Sequence, residues 1–183
     1  FKILKNFKLC KKDILNFNPD KIIYIDYPGF NLRICKWAKK KKFKNYFYIA
    51  PQVWAWKEKR SEIIKKYIDQ LYVVLPFEKD YFTTKHNIKA NFFGHPLMDD
   101  LKKFQLKKIE CKKPIISILP GSRKQEISKI LNEILNICKY YPDFKFIIAG
   151  VKHVGEETYN KIITKKNCNV EVIYNRTYDI IAY

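Results

Sequence analysis

The sequence predicts an α/β fold in two parts, with parallel sheets covered by helices on both faces. Three observations predict it. Short β-branched runs alternate with amphipathic segments along the whole chain, the pattern of strand–helix–strand units with right-handed crossovers. Hydrophobic residues make up 47% of 183 residues, enough for a sizeable core. The alternation breaks once, at a polar, Lys-rich stretch over 105–113. That stretch reads as a linker, so 1–104 and 114–183 are expected to be separate domains.

Taken in order, Ile3, Phe7, Cys10 and Ile14 recur at helical spacing and predict a helix ending before Pro19. Residues 21–25 are β-branched and read as a buried strand. A helix is expected over 31–42, its Lys-rich end suiting the negative pole of a helix dipole. Strands follow at 44–50, 70–75 and 89–93, with helices at 58–67, 77–85 and 97–104. After the linker come strands at 114–119, 144–149 and 170–174. Helices are expected at 123–140 and 156–165, and a further helical segment starts at Thr177. Phe1 in place of Met, and this late helical start, read as an internal piece of a longer chain.

Composition narrows the function classes. Lys+Arg number 37 against Asp+Glu 18, a formal charge of +19. The excess is mostly Lys and is spread through helices and loops, as a compositional bias would produce. No nucleic-acid recognition motif accompanies it, so a basic nucleic-acid-binding module is the weaker reading. A contribution to attraction by an anionic membrane surface remains open. The cysteines, Cys10, Cys35, Cys111, Cys138 and Cys168, are widely and irregularly spaced, which argues against a zinc site or a disulfide framework. Cys10, Cys35 and Cys138 fall on apolar helix faces and are expected in the core. No apolar run approaches the ~20 residues of a membrane span.

In parallel sheets ligands bind beyond the carboxyl ends of the strands. At one such end, Leu119-Pro120-Gly121-Ser122-Arg123 leads from strand to helix. Gly121 permits close backbone approach, Ser122 and Gln125 fit a capping box, and Arg123 adds a planar fork of donors. Two readings stand: an ordinary capped helix, or a seat for a diphosphate. The turn lacks the Lys-Ser/Thr ending of a P-loop and the G-x-G-x-x-G spacing, so an ATPase or dehydrogenase is not supported.

Asp26 follows the strand 21–25 beside a Pro-Gly turn. It is either a general base or a turn former bonded to backbone amides. His95, in Gly94-His95-Pro96, is either a donor to a phosphate or sugar hydroxyl, or a structural histidine. His86 and His153 read as surface residues. Trp54 and Trp56 follow Pro51-Gln52 and precede Lys57, Lys59 and Arg60. Their rings either fill the loop's core or face a sugar or acyl chain. Glu78 fits a helix cap, with no chemistry assigned.

Five segments, in this order, resemble the lipid-A-disaccharide synthase family. They are Ile25-Asp26-Tyr27-Pro28-Gly29-Phe30-Asn31, Ala50-Pro51-Gln52-Val53-Trp54-Ala55-Trp56, Leu75-Pro76-Phe77-Glu78-Lys79, Gly94-His95-Pro96-Leu97 and Leu119-Pro120-Gly121-Ser122-Arg123. Each is short, but the ordered set is specific and covers nearly the whole chain.

The resemblance implies two Rossmann-like halves of the GT-B type facing a cleft. Residues 1–104 would belong to the acceptor-side domain and 114–183 to the first part of the UDP-sugar-binding domain. The implied reaction is an inverting transfer from UDP-2,3-diacylglucosamine to 2,3-diacylglucosamine 1-phosphate, at the cytoplasmic side of the bacterial inner membrane, as a peripheral enzyme. No cofactor, metal or nucleic acid is implied. Asp26 and Arg123 match the family's essential aspartate and arginine. Gly121, Ser122, His95, Gln52, Trp54 and Trp56 are the expected substrate-binding residues.

Gly29 stands where some relatives carry a second acidic residue, so no acidic pair is available there. The family's glycine-containing loop would lie upstream of Phe1, and its Ser-Gly-Thr and Glu segment beyond Tyr183. This stretch alone is therefore expected to be inactive. The rival reading is another GT-B nucleotide-sugar enzyme, or an epimerase, with a soluble substrate.

Overall fold

A computed structural model describes residues 2–166 and 169–182. It has the expected class: parallel sheets with helices on both faces. The chain divides into two compact units, 1–103 and 104–183.

The first unit runs α1 (Lys2–Phe17), β1 (Lys21–Ile25), α2 (Pro28–Lys40), β2 (Lys44–Tyr48), α3 (Arg60–Tyr67), β3 (Gln70–Val73), α4 (Pro76–Asp80), β4 (Ala90–Phe92) and α5 (Leu97–Lys103). Its four strands are parallel in the order β1-β2-β3-β4. α4 passes directly into a wider π turn over Tyr81–Lys85, so 76–85 is one continuous helical stretch. α2 begins three residues earlier than the apolar pattern suggests, because Pro28 is preset for the first helical position.

Phe7, Cys10 and Ile14 of α1 pack against the core, and Phe7 stacks on Phe30 with ring centres 4.3 Å apart. Ile3 remains exposed. The core itself joins Ile34 and Cys35 of α2 to Phe47, Ile64, Leu71, Val73 and Phe82. Burial in this apolar setting pushes the Cys35 thiol up to about 12, which leaves it an inert core residue. Asn45 is a buried polar hub. It accepts from the Tyr24 hydroxyl at 3.0 Å and donates to the carbonyls of Cys35 and Tyr67 at 2.9 and 2.8 Å. It thereby ties β2 to α2 and to the end of α3 with no polar group left unmet.

β1 differs from expectation. Among the described residues it pairs only with β2, and Ile23 and Ile25 are exposed while Tyr24 is buried. Side chains alternate across a strand, so an outer strand can be uniformly apolar in sequence yet bury one face.

The second unit runs β5 (Ile115–Ile118), α6 (Lys124–Leu135), β6 (Lys145–Gly150), α7 (Glu156–Ile163), β7 (Val170–Tyr174) and α8 (Thr177–Ile181), with a parallel order β5-β6-β7. α6 stops at Leu135, and a separate 3-10 turn at Cys138–Tyr140 completes the stretch expected to be one helix. On one face of the sheet, Ile118, Phe146 and Ile148 meet Ile127, Leu131 and Leu135 of α6, Cys138, and Tyr159 and Ile162 of α7. On the other, Ile147 and Ala149 meet Ile109 and Ile180. The second-unit core thus has helices on both sides of β6, whose residues 146–150 are all buried.

The stretch 105–113, expected to be a linker, contains no helix or strand and lies against the second unit. Ile109 is buried there. α8 clamps it. The Lys107 backbone N–H donates to Asp179 Oδ1 at 2.7 Å, Arg176 Nε donates to Asp179 Oδ2 at 2.7 Å, and Arg176 Nη2 donates to the Lys107 carbonyl at 2.7 Å. Cys10 is partly buried, Cys35 and Cys138 are buried, and Cys168 lies outside the described residues.

The Arg176 guanidinium, followed by the Lys107 N–H, holds the Asp179 carboxyl below the usual carboxylate range. A group depressed in the folded state stabilises it above its unfolded value, and that contribution is lost as pH falls through the folded value. Acid titration followed by circular dichroism should therefore show a loss of second-unit stability below the ordinary carboxylate range. Asp179→Asn should be less stable at neutral pH and should lack that part of the acid dependence.

Candidate functional site

Three strand-to-helix turns place the chemistry-bearing residues, and in each a polar side chain from the helix holds the turn. The first follows β1. Asp26 and Tyr27 take left-handed backbone angles, φ +47° and +42°. Non-glycine residues in this region cost on the order of 1 kcal/mol or more each, so something must hold them. Asn31 does so: its Nδ2 donates to the carbonyls of Asp26 and Ile25 at 2.7 and 3.1 Å. The Asp26 N–H continues the sheet by donating to the Tyr48 carbonyl at 3.0 Å. Asp26 is exposed at the strand's carboxyl end. Its carboxylate has no hydrogen bond or ion pair among the described residues, so the turn-former reading does not describe it. Asn31 fills that role. Gly29 faces open space, with nothing within 4 Å of an added Cβ.

The second turn links β3 to α4. Glu78 is fully buried and accepts from the N–H groups of Leu75 and Val74 at 3.0 and 3.2 Å. It also accepts from Trp54 Nε1 at 3.0 Å. One carboxylate thus caps α4 and anchors the loop after β2. Trp54 lies edge-on to Phe77 with ring centres 5.1 Å apart, and is 39% exposed. Trp56 is 55% exposed, with Lys57 Nζ 4.5 Å and Arg60 Cζ 5.0 Å from its ring centre. Neither tryptophan is a core residue. Gln52 is exposed, and its carbonyl accepts from Ala55 and Trp56.

Near this turn, the half-buried His95 accepts the Leu97 N–H at Nδ1, at 3.2 Å. In the neutral ring the proton then sits on Nε2, which leaves a donor. Tyr48, Tyr72, Phe93, His95 and Asp99 line a cavity of about 110 Å³. His86, expected at the surface, is largely enclosed. It sits 3.2 Å from the Tyr81 hydroxyl and packs on the Tyr81 and Phe82 rings.

The third turn follows β5. Gly121 has φ +102°, and beyond it Ser122 and Arg123 are exposed. α6 starts at Lys124, so Arg123 and not Ser122 is the capping position, and the Ser122–Gln125 box does not form. Glu126, three residues past the cap, takes that role instead. Its Oε1 accepts from Arg123 Nη1 at 2.6 Å. The Arg123 guanidinium holds its carboxyl below the usual range, and the backbone N–H groups of Arg123 and Ser122 add to this. From the loop after β6, His153 Nε2 donates to the Ser122 carbonyl at 3.0 Å. His153 is exposed as expected, yet it braces this turn. Leu119, Pro120, Gly121, Ser122, Ala149, Val151 and Thr177 line a cavity of about 300 Å³ at the carboxyl ends of β5 and β6.

Asp26, Gln52, Trp54, Trp56 and His95 belong to the first unit, and Gly121, Ser122 and Arg123 to the second. All of them sit on loops that follow strands. The roles of Asn31, Glu126 and His153 went unread in the sequence, whereas the cap at Glu78 was legible and its hold on Trp54 was not. A Glu at the third helical position after a strand, seen at both Glu78 and Glu126, is the signal that points to the cap at each.

The fold and its strand-end loops define a class, α/β proteins of two parallel-sheet units with their chemistry-bearing residues on the loops after strands. The fold matches a UDP-GlcNAc 2-epimerase from Neisseria meningitidis bound to UDP-GlcNAc, with a TM-score of 0.66 and 17% identity over 99% of this chain and 56% of that one. It also matches S. aureus MnaA in complex with UDP, with a TM-score of 0.65 and 12% identity over 98% of this chain and 54% of that one.

Within that class, residues 1–183 match the family described as lipid-A-disaccharide synthetase, and the chain belongs to it. It is 42% identical to the lipid-A-disaccharide synthase of Coxiella burnetii (strain CbuK_Q154), over 90% of this chain and 46% of that protein. It is 32% identical to lipid-A-disaccharide synthase 1 of Legionella pneumophila (strain Lens), over 97% of this chain and 49% of that protein. The chain thus spans about half the length of these curated relatives.

Removing the Glu78 carboxylate strands three donors, two of them on the backbone. Glu78→Ala should destabilise the protein by about 2–4 kcal/mol in denaturant unfolding, since each buried unmet donor costs roughly 1–3 kcal/mol. Trp54 fluorescence should become more mobile in the same variant.

Proposed function

We propose that the complete protein is an inverting glycosyltransferase. It moves 2,3-diacylglucosamine from UDP to 2,3-diacylglucosamine 1-phosphate and releases UDP. Membership of the lipid-A-disaccharide synthetase family supports this reading. The observation that carries it is the Gly121-Ser122-Arg123 turn, exposed at the carboxyl end of β5 beside a cavity of about 300 Å³.

In this reading Asp26 accepts the proton of the attacking acceptor hydroxyl. Its carboxylate is exposed and uncommitted, and the strained turn that presents it is held by Asn31 rather than by Asp26 itself. Arg123 meets the negative charge that grows on the departing UDP. A guanidinium already oriented toward that charge stabilises it without the reorganisation that water would need. Gly121 and Ser122 let the backbone approach the diphosphate, and the cavity beside them takes the less polar part of the donor.

His95 offers Nε2–H to a phosphate or hydroxyl. Gln52, Trp54 and Trp56 contact the acylated sugars. The exposed Trp56 under Lys57 and Arg60 suits an anionic lipid surface, an aromatic ring beside two cations. Among the described residues no helix is long and apolar enough to cross a membrane. The proposed location is the cytoplasmic face of the inner membrane, held peripherally.

In the complete protein, Asp26→Asn should lower kcat by about 100- to 10,000-fold, the range for loss of a general base. Arg123→Ala should lower it by about 100- to 1,000-fold, as for a lost charge-stabilising donor. Both should unfold as the parent does, and turnover near the parent's in either would reject the role. Acylated and deacylated UDP-glucosamine offered in parallel test the substrate class. Only the acylated donor should be consumed, and equal use of both would favour a soluble-substrate enzyme.

A further inference from the structure

The turn proposed to receive the donor's diphosphate already holds an anion, the Glu126 carboxylate. Arg123 Nη1 donates to it at 2.6 Å, and the backbone N–H groups of Ser122 and Arg123 add to the field that holds its carboxyl below the usual range. These are the groups a diphosphate at this turn would need. Glu126 also fits closely against the turn, since a Cβ added at Gly121 would stand 2.9 Å from its Oε2 and 3.3 Å from its Cβ. The carboxylate therefore rests on the backbone where a phosphate would approach. Arg123 is well exposed, at 79% of its side chain, so its guanidinium can turn from Glu126 to a ligand without breaking any other contact of its own.

We infer that Glu126 is a resident counter-ion for Arg123, which the donor diphosphate must displace, and that it sets the affinity for UDP. The inference rests on the proposed function and deepens it. With the nucleotide absent, Glu126 keeps the Gly121–Arg123 turn in its binding shape and keeps Arg123 near its working position. With the nucleotide bound, the two phosphates take over Arg123 and the amides, and Glu126 withdraws toward solvent. The exchange is one anion for another, so the amides pass from one acceptor to the next. The cost of removing Glu126 is subtracted from the affinity for UDP. His153 stands apart from the exchange. It holds the Ser122 carbonyl, not an amide, and so preserves the turn while the anions trade places.

A merely structural cap and a competing counter-ion predict opposite effects. Glu126→Gln keeps the size and one acceptor oxygen but removes the charge. As a structural cap its loss would weaken UDP binding or leave it unchanged. As a competitor its loss should tighten UDP binding by about 2- to 5-fold, the scale of a partly exposed ion pair.

The test is calorimetric titration of the complete protein with UDP, for the parent, E126Q, R123A and the double variant. The expected result is tighter binding in E126Q and only a small part of that gain when E126Q is added to R123A, because the competition acts chiefly through Arg123. Weaker or unchanged binding in E126Q would overturn the inference, as would a full gain in the R123A background. Should E126Q fold poorly, E126D serves in its place, since the shorter side chain retracts from Arg123 and the same tightening is expected.

Turnover of the acylated donor by the parent separates the two levels. A parent that transfers diacylglucosamine, paired with an E126Q that binds UDP less well, rejects the counter-ion role alone. A parent that binds UDP but never transfers rejects the proposed reaction and leaves the Glu126 result readable.

Discussion

Each parallel strand ends where a backbone must leave the sheet, reverse, and enter a helix whose first amides have no partner of their own. That constraint shapes the turns that present Asp26 and Arg123 and the one that anchors Trp54. Where β1, β3 and β5 end, the solution is a polar side chain from the following helix that reaches back to the turn. Asn31 collects two carbonyls, Glu78 collects two amides and an indole N–H, and Glu126 collects a guanidinium. Because the turn after β1 is held from behind, Asp26 on its outer side is relieved of structural duty, while the Arg123 side chain is bonded to Glu126.

The three holders differ in how deeply they are set, and the difference separates structure from chemistry. Glu78 is buried with both oxygens engaged, two of its three donors being backbone amides, so its site is a firm joint between α4 and the tryptophan loop. Glu126 is partly exposed and bonded to the exposed side chain of Arg123, so its joint can open. An ion pair at the surface is weak, and an equilibrium between two anions at such a place needs little energy to shift. Burial, more than charge, decides which carboxylate is scaffold.

Much of this was legible in the chain. The strands at 21–25 and 170–174 fall where the β-branched runs place them, and α1 ends where Pro19 requires. Helix starts were harder to read. Pro28 advances α2 by three residues, and Glu126 moves the cap of α6 from Ser122 to Arg123, because a residue inside the helix can satisfy the cap as well as one before it. Exposure was harder still. Ile23 and Ile25 look like core residues in a list of letters, and only the order of strands shows that β1 has one neighbour among the described residues. His153 was legible as a surface residue but its contact was not, since its partner Ser122 lies 31 residues away and no local pattern joins them.

The close fit of Gly121 against Glu126 has a consequence for how this turn can vary. A methyl at position 121 collides with the resident carboxylate before any nucleotide arrives, and φ +102° adds strain to the collision. Mutational histories of the two positions are therefore entangled: a larger residue at 121 becomes less costly once 126 is shortened, and a change at 126 is felt differently according to what stands at 121. A glycine in such a place records the shape of its own helix as much as the shape of any substrate.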